Sequence, residues 1–278
     1  MPDLLLGLIG DNIKRSSAPR LHRLAGRQNG LAVQYDSLIP AELGKPFDSL
    51  FAECGMGGYR GLNITYPYKE VAARAVTIRD EQVRRIGAIN TVVFDQGAPV
   101  GYNTDYSGFM DAYRSVRHDT TPGAVALVGA GGVGRALAFA LLTLGASEIR
   151  LADRDTPKAV SLADELRNAG TGTIITASAS VEDIAPGANG LINATPLGMV
   201  GYPGSAIPRS VMPGAEWAFD AVYTPVDTQF LQESEAAGLQ IISGYELFFH
   251  QGVNAWAFFS GLPLDHAQLR RDLEAGLG

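Results

Sequence analysis

The chain has 278 residues, 46% of them hydrophobic, so it can bury a full core and is long enough for two domains. A formal net charge of -7 and the absence of Lys/Arg runs exclude nucleic acid and anionic membranes as expected partners, which leaves a small molecule. Cys54 is the only cysteine, which excludes an internal disulfide and a cysteine-based zinc cluster.

The amino-terminal segment lacks the basic region and the apolar length of a signal peptide, and nowhere do about 18 apolar residues run together. We therefore expect a cytoplasmic protein. The four histidines show no metal spacing, so we predict no metal site. Both a monomer and a homodimer remain open.

The first part of the chain alternates apolar runs typical of strands with helical patterns. We predict strands over residues 4–9, 33–39, 59–64 and 91–94. We predict helices from about Pro19, across 41–54, from Pro67 and over 80–87. Such β/α order indicates a mostly parallel sheet.

A helix that begins near Asp105 leads into a second series of elements, which starts with a new buried strand over 124–128. Further strands are predicted over 149–152, 173–176, 190–193 and 217–220, with a helix over 156–169. Residues 244–276 are helical in pattern. We therefore predict a two-domain α/β protein: a β/α domain over 1–110, a doubly wound domain over 111–243, and helices over 244–278 that pack back on the first domain and close a cleft.

A glycine-rich loop follows the strand predicted over 124–128. Gly129, Gly131 and Gly134 satisfy G-x-G-x-x-G between that strand and an amphipathic helix. The first glycine permits a tight turn, the second lets a pyrophosphate approach the backbone, and the third allows close packing of helix and strand. The pattern predicts a dinucleotide site on the helix N-terminus, formed by Gly129, Ala130, Gly131, Gly132, Val133 and Gly134.

The next strand ends in Asp153, Arg154 and Asp155, at the position where such folds bind the ribose 2′-hydroxyl. A carboxylate accepts hydrogen bonds from this hydroxyl and repels a 2′-phosphate, which favours NAD. Arg154 could instead bind that phosphate, which favours NADP. Two carboxylates flank the single arginine, so we predict NAD, with NADP as the alternative.

Three polar clusters in the first domain, at 63–69, 87–91 and 101–105, could supply the group that takes a proton from a substrate hydroxyl. Taken singly, such clusters are more often turns with local caps.

Together, however, seven motifs occur in order along almost the whole chain: GLIGDNIKRSSAPRLH, LNITYPYK, GAINTV, YNTDYSGF, VGAGGVGRA, NATPLGM and YELFFHQG. The set resembles the shikimate dehydrogenase family, and in particular its NAD-preferring quinate/shikimate dehydrogenase branch. The resemblance implies a first domain that binds substrate and carries catalysis, a Rossmann domain that binds NAD or NADP, and reversible oxidation of shikimate to 3-dehydroshikimate or of quinate to 3-dehydroquinate.

Carried over by motif, the resemblance makes Lys69 the catalytic lysine and Asp105 its partner in acid/base chemistry. It implies substrate contacts at Ser16, Thr65, Asn90, Tyr223 and Gln251. It implies further cofactor contacts at Thr195, Pro196, Met199 and Gly244, the first three of which lie in the segment that the family places beside the nicotinamide.

The chain departs from the family pattern where a second hydroxyl residue is expected, because Ala18 stands there. One contact to the substrate carboxylate is therefore lost or moved, and Ser17, Lys14 and Arg15 are the nearby residues that could compensate. A related ring acid such as aminoshikimate is an alternative substrate. A cofactor-binding regulatory paralogue without turnover is a further alternative, against which intact Lys69 and Asp105 argue. His22, in the first predicted helix, is interpreted as structural.

Overall fold

A computed structural model describes residues 2–95 and 97–275. The chain divides into two compact units: unit 1 comprises Met1–Thr104 with Gln251–Gly278, and unit 2 comprises Asp105–His250. Both borders fall inside helices. The borders expected from the sequence, after residues 110 and 243, fall within the first of these helices and directly before the second.

Unit 1 is built on a five-stranded sheet. Its strands are β1 (Leu4–Ile9), β2 (Val33–Leu38), β3 (Gly61–Ile64), β4 (Thr91–Val93) and β5 (Val100–Tyr102). Its first helices are α1 (Ala18–Gln28), α2 (Pro40–Leu43), α3 (Phe47–Met56), α4 (Lys69–Ala73) and α5 (Glu81–Ile86). The helix predicted across 41–54 is interrupted at Gly44, which adopts a left-handed conformation with φ 63°, and Pro46 precedes the next helix.

The strand order in unit 1 is β2-β1-β3-β4-β5. β1 pairs in parallel with β2 and β3, whereas β4 is antiparallel to both β3 and β5. The sequence predicted β4 but not β5, which has only three residues and too few alternating positions to produce a pattern. The resulting hairpin makes the sheet half parallel and half antiparallel.

Unit 2 contains a six-stranded sheet. Its strands are β6 (Ala124–Val128), β7 (Glu148–Ala152), β8 (Ile174–Ser178), β9 (Gly190–Asn193), β10 (Trp217–Asp220) and β11 (Gln240–Ile242). The remaining helices of the chain are α6 (Thr104–Arg117), α7 (Gly132–Thr143), α8 (Thr156–Asn168), α9 (Val181–Ile184), α10 (Gln229–Ala236), α11 (Gly244–Ser260) and α12 (His266–Glu274). Of these helices, α6 and α11 each contain a border between the units, and α12 belongs to unit 1.

All strand pairs of this sheet are parallel, in the order β8-β7-β6-β9-β10-β11. This order is that of a Rossmann dinucleotide-binding sheet, in which the direction of winding reverses between the first and fourth strands. The predicted α/β class and doubly wound second unit are thus confirmed. The sequence did not predict α10 and β11, which complete the second half of the sheet.

Buried apolar side chains explain why these strands form. β9 and β10 are buried along their whole length, as expected of parallel strands covered on both faces. In unit 1, Leu6, Ile9 and Leu62 have no exposed surface. Within the described ranges, no helix combines the length and hydrophobicity needed to cross a membrane.

Candidate functional site

The loops after β1 and β3 flank the point where the unit 1 sheet reverses its winding, which is where open α/β sheets bind ligands. These loops are in direct contact. Thr65 donates its backbone N–H to the carbonyl of Ile9 at 2.9 Å. A Cβ on Gly10 would lie 2.2 Å from Cγ2 of Thr65, so glycine is needed there for the two loops to pack. Thr65 is half-buried at this edge.

The antiparallel hairpin brings further polar residues to the same edge. Because β4 runs opposite to β3, Asn90, which precedes β4, lies beside the carboxyl end of β3. Ile64 donates its N–H to the Asn90 carbonyl at 2.8 Å. Because β5 reverses direction again, Asn103 and Thr104 also follow a strand that ends at this edge.

Asn90 organises this cluster. Its side-chain Oδ1 accepts hydrogen bonds from the backbone N–H of Thr104 at 2.7 Å, the Thr104 hydroxyl at 3.0 Å and the Thr91 hydroxyl at 3.1 Å. The Thr104 hydroxyl also lies 3.4 Å from Oε1 of Gln251. Through Thr104, the structure therefore brings together Asn90 and Gln251, two of the predicted substrate residues. Only 3% of Asn90 is exposed, and its Nδ2 has no acceptor in the described part of the chain.

The two predicted acid/base residues lie in different units. Lys69 is the first residue of α4 in unit 1, and only 9% of it is exposed. Its carbonyl accepts the N–H of Ile89 at 3.0 Å, which ties α4 to the segment before Asn90. Asp105 is the first residue of unit 2, directly after Thr104, and it is 6% exposed. Burying either charge costs free energy unless an opposite charge or hydrogen bonds compensate it.

Ser16 and Ala18 stand at the start of α1. The Ser16 hydroxyl oxygen accepts the backbone N–H of Ala18 at 3.2 Å, while the Ala18 methyl is buried in an apolar cluster with Ile13 and Tyr35. The hydroxyl that the family pattern leads one to expect is therefore replaced by core packing. Lys14 forms an ion pair with Glu42 at 2.5 Å on the surface.

The glycine-rich loop of unit 2 follows β6, beside the reversal point of that sheet. Gly129 has φ 109°, and a Cβ on Gly134 would lie 1.9 Å from the carbonyl oxygen of Gly129. A Cβ on Gly131 would meet no atom within 4 Å. The first and third glycines are thus required by the turn and by helix packing, whereas the second leaves open space above the start of α7. This geometry fits a pyrophosphate on the helix N-terminus.

Asp153 lies at the end of β7, next to this loop. Its carboxylate accepts the backbone N–H of Ala130 at 2.7 Å and that of Asp155 at 2.8 Å. Arg154 is exposed, and Asp155 lies 3.6 Å from Lys158 in an exposed ion pair. The structure therefore brings Asp153, rather than Arg154, into contact with the glycine-rich loop.

The segment after β9 carries Thr195, Pro196 and Met199, and it lies on the other side of the reversal point. A Cβ on Gly129 would come within 2.7 Å of the Ala194 carbonyl oxygen and 3.1 Å of Cγ2 of Thr195. The glycine-rich loop and the segment at Thr195 are therefore packed together in unit 2. Met199 closes a turn by donating its N–H to the Pro196 carbonyl at 3.0 Å.

The remaining predicted residues lie on the segments after β10 and β11. Tyr223 is half-buried and stacks on Phe248 with 5.1 Å between ring centroids. Gly244 begins α11, where a Cβ would lie 2.3 Å from the Val222 carbonyl oxygen, so it packs against the segment that leads to Tyr223. Gln251, seven residues further along α11, is the first residue of the helix that belongs to unit 1.

A buried polar pair that we did not predict, Asn193 and Asp220, lies at the ends of β9 and β10. Neither residue is exposed at all, and Asn193 Nδ2 donates to Asp220 Oδ1 at 2.9 Å. The available signal was a polar residue at the end of each of two otherwise apolar strands.

Comparisons with known proteins agree with this architecture. Residues 8–92 match the family model "Shikimate dehydrogenase substrate binding domain", and residues 124–201 match "NADP oxidoreductase coenzyme F420-dependent". The chain is 37% identical over 273 residues to the quinate/shikimate dehydrogenase (NAD(+)) of Corynebacterium efficiens, covering 96% of each chain.

It is also 35% identical to the shikimate dehydrogenase (NADP(+)) of an Arthrobacter species, covering 96% of this chain and 92% of the relative. Among solved structures, it is similar to the quinate dehydrogenase of Corynebacterium glutamicum in complex with NAD, with 36% identity, a TM-score of 0.90 and coverage of 98% and 99%. With this identity over nearly its whole length, the chain belongs to the shikimate dehydrogenase family.

Proposed function

We propose that this protein is a dehydrogenase that interconverts shikimate and 3-dehydroshikimate, or quinate and 3-dehydroquinate, and that it uses NAD in preference to NADP. The observation that carries the proposal is the buried Lys69 at the edge of the unit 1 sheet where Thr65 and Asn90 also lie. The relatives named for this activity share the architecture over almost the whole chain.

The groups at this edge suit a polyhydroxylated ring. Thr65 and Ser16 offer hydroxyls, which both donate and accept hydrogen bonds. Asn90 has its Oδ1 committed to Thr91 and Thr104, so its Nδ2 is the group left to donate to a ligand. Such neutral groups bind hydroxyls without the cost of burying further charge.

Lys69 is the acid/base in this proposal, with Asp105 as its partner carboxylate. When the substrate is oxidised, the carbinol carbon loses a hydride to the nicotinamide ring and the hydroxyl loses a proton. Lys69 takes that proton in its neutral form and returns it as an ammonium group in the reverse direction.

The unit 2 residues fit a dinucleotide. The open space at Gly131 would hold the pyrophosphate over the first turn of α7, which contains no acidic residue. Asp153 supports NAD over NADP, because a carboxylate already bound to the glycine-rich loop would accept the ribose 2′-hydroxyl and repel a 2′-phosphate. The names of similar relatives include both cofactors, so this preference rests on Asp153.

The test is a steady-state comparison of shikimate and quinate, each with NAD and with NADP, followed at the absorbance of the reduced nicotinamide. We expect turnover with at least one acid and a higher kcat/KM with NAD. An amine-bearing ring acid is included because Ala18 replaces the second hydroxyl with a buried methyl group. Absence of turnover with every acid would contradict the proposal.

The role of Lys69 is tested in the same assay with Lys69→Ala. We expect kcat to fall by about 1,000-fold, because acid/base catalysis by a positioned side chain contributes on the order of 100- to 10,000-fold. NADH affinity should stay unchanged, since Lys69 lies outside the unit that carries the glycine-rich loop. A variant with wild-type kcat would remove Lys69 from the mechanism.

A further inference from the structure

The carboxylate of Asp220 connects several segments of unit 2. Asp220 ends β10, and its register partner on the neighbouring strand is Asn193, which ends β9. Its Oδ1 accepts hydrogen bonds from the Asn193 side chain at 2.9 Å and from the Val222 backbone N–H at 3.0 Å. Its Oδ2 accepts the hydroxyl of Thr228 at 2.6 Å.

Asn193 extends this network to the segment that carries Thr195. Its Oδ1 accepts the backbone N–H of Thr195 at 3.0 Å and the Thr195 hydroxyl at 2.7 Å. Its Nδ2 donates to the carbonyl of Leu197 at 2.9 Å as well as to Asp220. One amide therefore links the carboxylate to both ends of the turn at Pro196.

The other two partners of Asp220 fix the segment that carries Tyr223. Val222 directly precedes Tyr223, and Thr228 caps α10 by accepting the N–H of Leu231 at 3.3 Å. The segment is thus held at both ends by a single carboxylate. It also touches the segment after β9, since Val200 donates its N–H to the Thr224 carbonyl at 3.2 Å.

Asp220 is completely buried and forms no ion pair among the described residues, and burial raises its pKa to about 6 against the opposing effect of its three hydrogen bonds. All three partners are neutral donors, which suits an ionised carboxylate with several lone pairs. An apolar residue would avoid the burial cost but would leave these donors unpaired.

We propose that Asp220 is a positioning residue that holds the Thr195 segment and the Tyr223 segment in one fixed arrangement for the nicotinamide end of the cofactor. This inference rests on the proposed function, because that function makes Thr195 a cofactor contact and Tyr223 a substrate contact. Asp220 itself touches neither ligand in this proposal.

The first experiment uses Asp220→Asn, which preserves the shape of the side chain but turns one acceptor into a donor that faces another donor. We expect kcat to fall by about 100-fold, the cost of roughly 1 Å of misplacement at a reacting centre. NADH should bind more weakly, whereas ADP-ribose, which lacks nicotinamide, should bind as it does to the wild type. A purely structural role would lower the melting temperature and leave kcat and the ratio of these two affinities unchanged.

A second pair of variants tests the same network without changing a charge. Thr228→Val removes the hydroxyl that donates to Asp220, and Thr228→Ser retains it. We expect the valine variant to lose kcat and NADH affinity in the same sense as Asp220→Asn, and the serine variant to restore both. This pair decides the question if Asp220→Asn does not fold.

The proposed function and the positioning role of Asp220 are contradicted by different results. If the wild-type protein turns over no ring acid, the proposed function is wrong, yet NADH and ADP-ribose affinities still report on Asp220. If turnover is normal and both Asp220→Asn and Thr228→Val retain wild-type kcat and NADH affinity, the positioning role of Asp220 is refuted.

Discussion

The two sheets of this protein reverse their winding in similar places but present different chemical groups there. In unit 1 the reversal point is lined by side chains, with Thr65 and Asn90 at the strand ends. In unit 2 it is lined by the glycine-rich loop, where the open position is Gly131 and the available groups are backbone N–H groups at the start of α7.

This difference explains why the two halves of the predicted site carry unequal information in the sequence. A loop that binds phosphate through its backbone needs glycine at fixed spacing, so its motif identifies a class of cofactor. Side chains at strand ends have no such spacing, because the tertiary fold brings them together. We therefore expect that single substitutions, such as the alanine at position 18, can change the substrate chemistry of unit 1 while the scaffold remains.

The largest effect that distinguishes the units should come from Gly134→Ala. Because the new Cβ would lie 1.9 Å from the Gly129 carbonyl oxygen, the loop must shift, and we expect both a lower melting temperature and about 100-fold weaker NADH binding. Fluorescence titration and thermal unfolding measure the two effects.

Gly131→Ala is the matched control, since its Cβ would meet no atom of the described residues within 4 Å. We expect its melting temperature to stay at the wild-type value while NADH affinity falls. If Gly134→Ala matches the wild type in both measurements, backbone packing does not shape this loop.

In unit 1 the test that corresponds to Gly134→Ala is a substitution of Asn90, whose side chain lies at the reversal point of that sheet. Asn90→Ala removes the acceptor of three hydrogen bonds and should reduce the free energy of unfolding by about 2 kcal/mol. We expect kcat/KM for the ring acid to fall by about 30-fold, near the cost of losing a hydrogen bond to a charged or polar ligand. Chemical denaturation and steady-state kinetics measure the two effects.

Asn90→Asp retains the acceptor but replaces the donating Nδ2 with a charged oxygen. It should therefore be more stable than Asn90→Ala and still bind an anionic substrate poorly. Equal KM values for Asn90→Asp and the wild type would show that Nδ2 does not contact the substrate.

Cofactor preference should respond to Asp153→Asn combined with Asp155→Thr. The double variant removes the two carboxylates that we propose repel a 2′-phosphate, and it releases Lys158 from its ion pair with Asp155. We expect the ratio of kcat/KM for NADP to that for NAD to rise by about 20-fold, less than 2 kcal/mol. The single variant Asp155→Thr separates the contribution of the ion pair, and an unchanged ratio in the double variant would show that these carboxylates do not select the cofactor.

The smallest expected effect on activity concerns His22, in the core of unit 1, where the substitution should change stability alone. His22 stacks on Tyr35 with 5.1 Å between ring centroids and packs edge-on against Phe259 at 5.4 Å. Burial lowers the pKa of His22 to about 3, against a smaller opposing effect of Asn63. Between about pH 6.5 and 3 the unfolded chain binds a proton that the folded chain does not, so stability falls as the pH falls, by up to about 1.4 kcal/mol per pH unit.

His22→Phe retains an aromatic ring and should flatten this part of the stability curve, measured by urea denaturation at several pH values. Asp220 in unit 2 has the opposite effect on the pH dependence of stability. Because its pKa is raised, the folded chain binds more protons than the unfolded chain between about pH 4 and 6, and stability falls as the pH rises through this range. A wild-type slope in His22→Phe would show that His22 is not the residue responsible.

Much of the fold was predictable because the apolar periodicity of a strand or helix is visible within the residues of that element alone. The strands at 4–9, 124–128, 190–193 and 217–220 match the observed bounds of β1, β6, β9 and β10. Short elements such as β5 were not predicted, and the break at Gly44 was missed. A strand of three residues carries almost no pattern of its own, and pairing with a neighbour decides whether it forms.

The sequence by itself determined the cofactor class and the family, because the glycine spacing and the order of the seven motifs are properties of the chain. Only the tertiary structure brought Asn90 against Thr104, set Asp153 on the glycine-rich loop, and joined Asn193 to Asp220. These contacts link residues between 14 and 27 positions apart, so each depends on strand pairing and loop packing that no local pattern encodes.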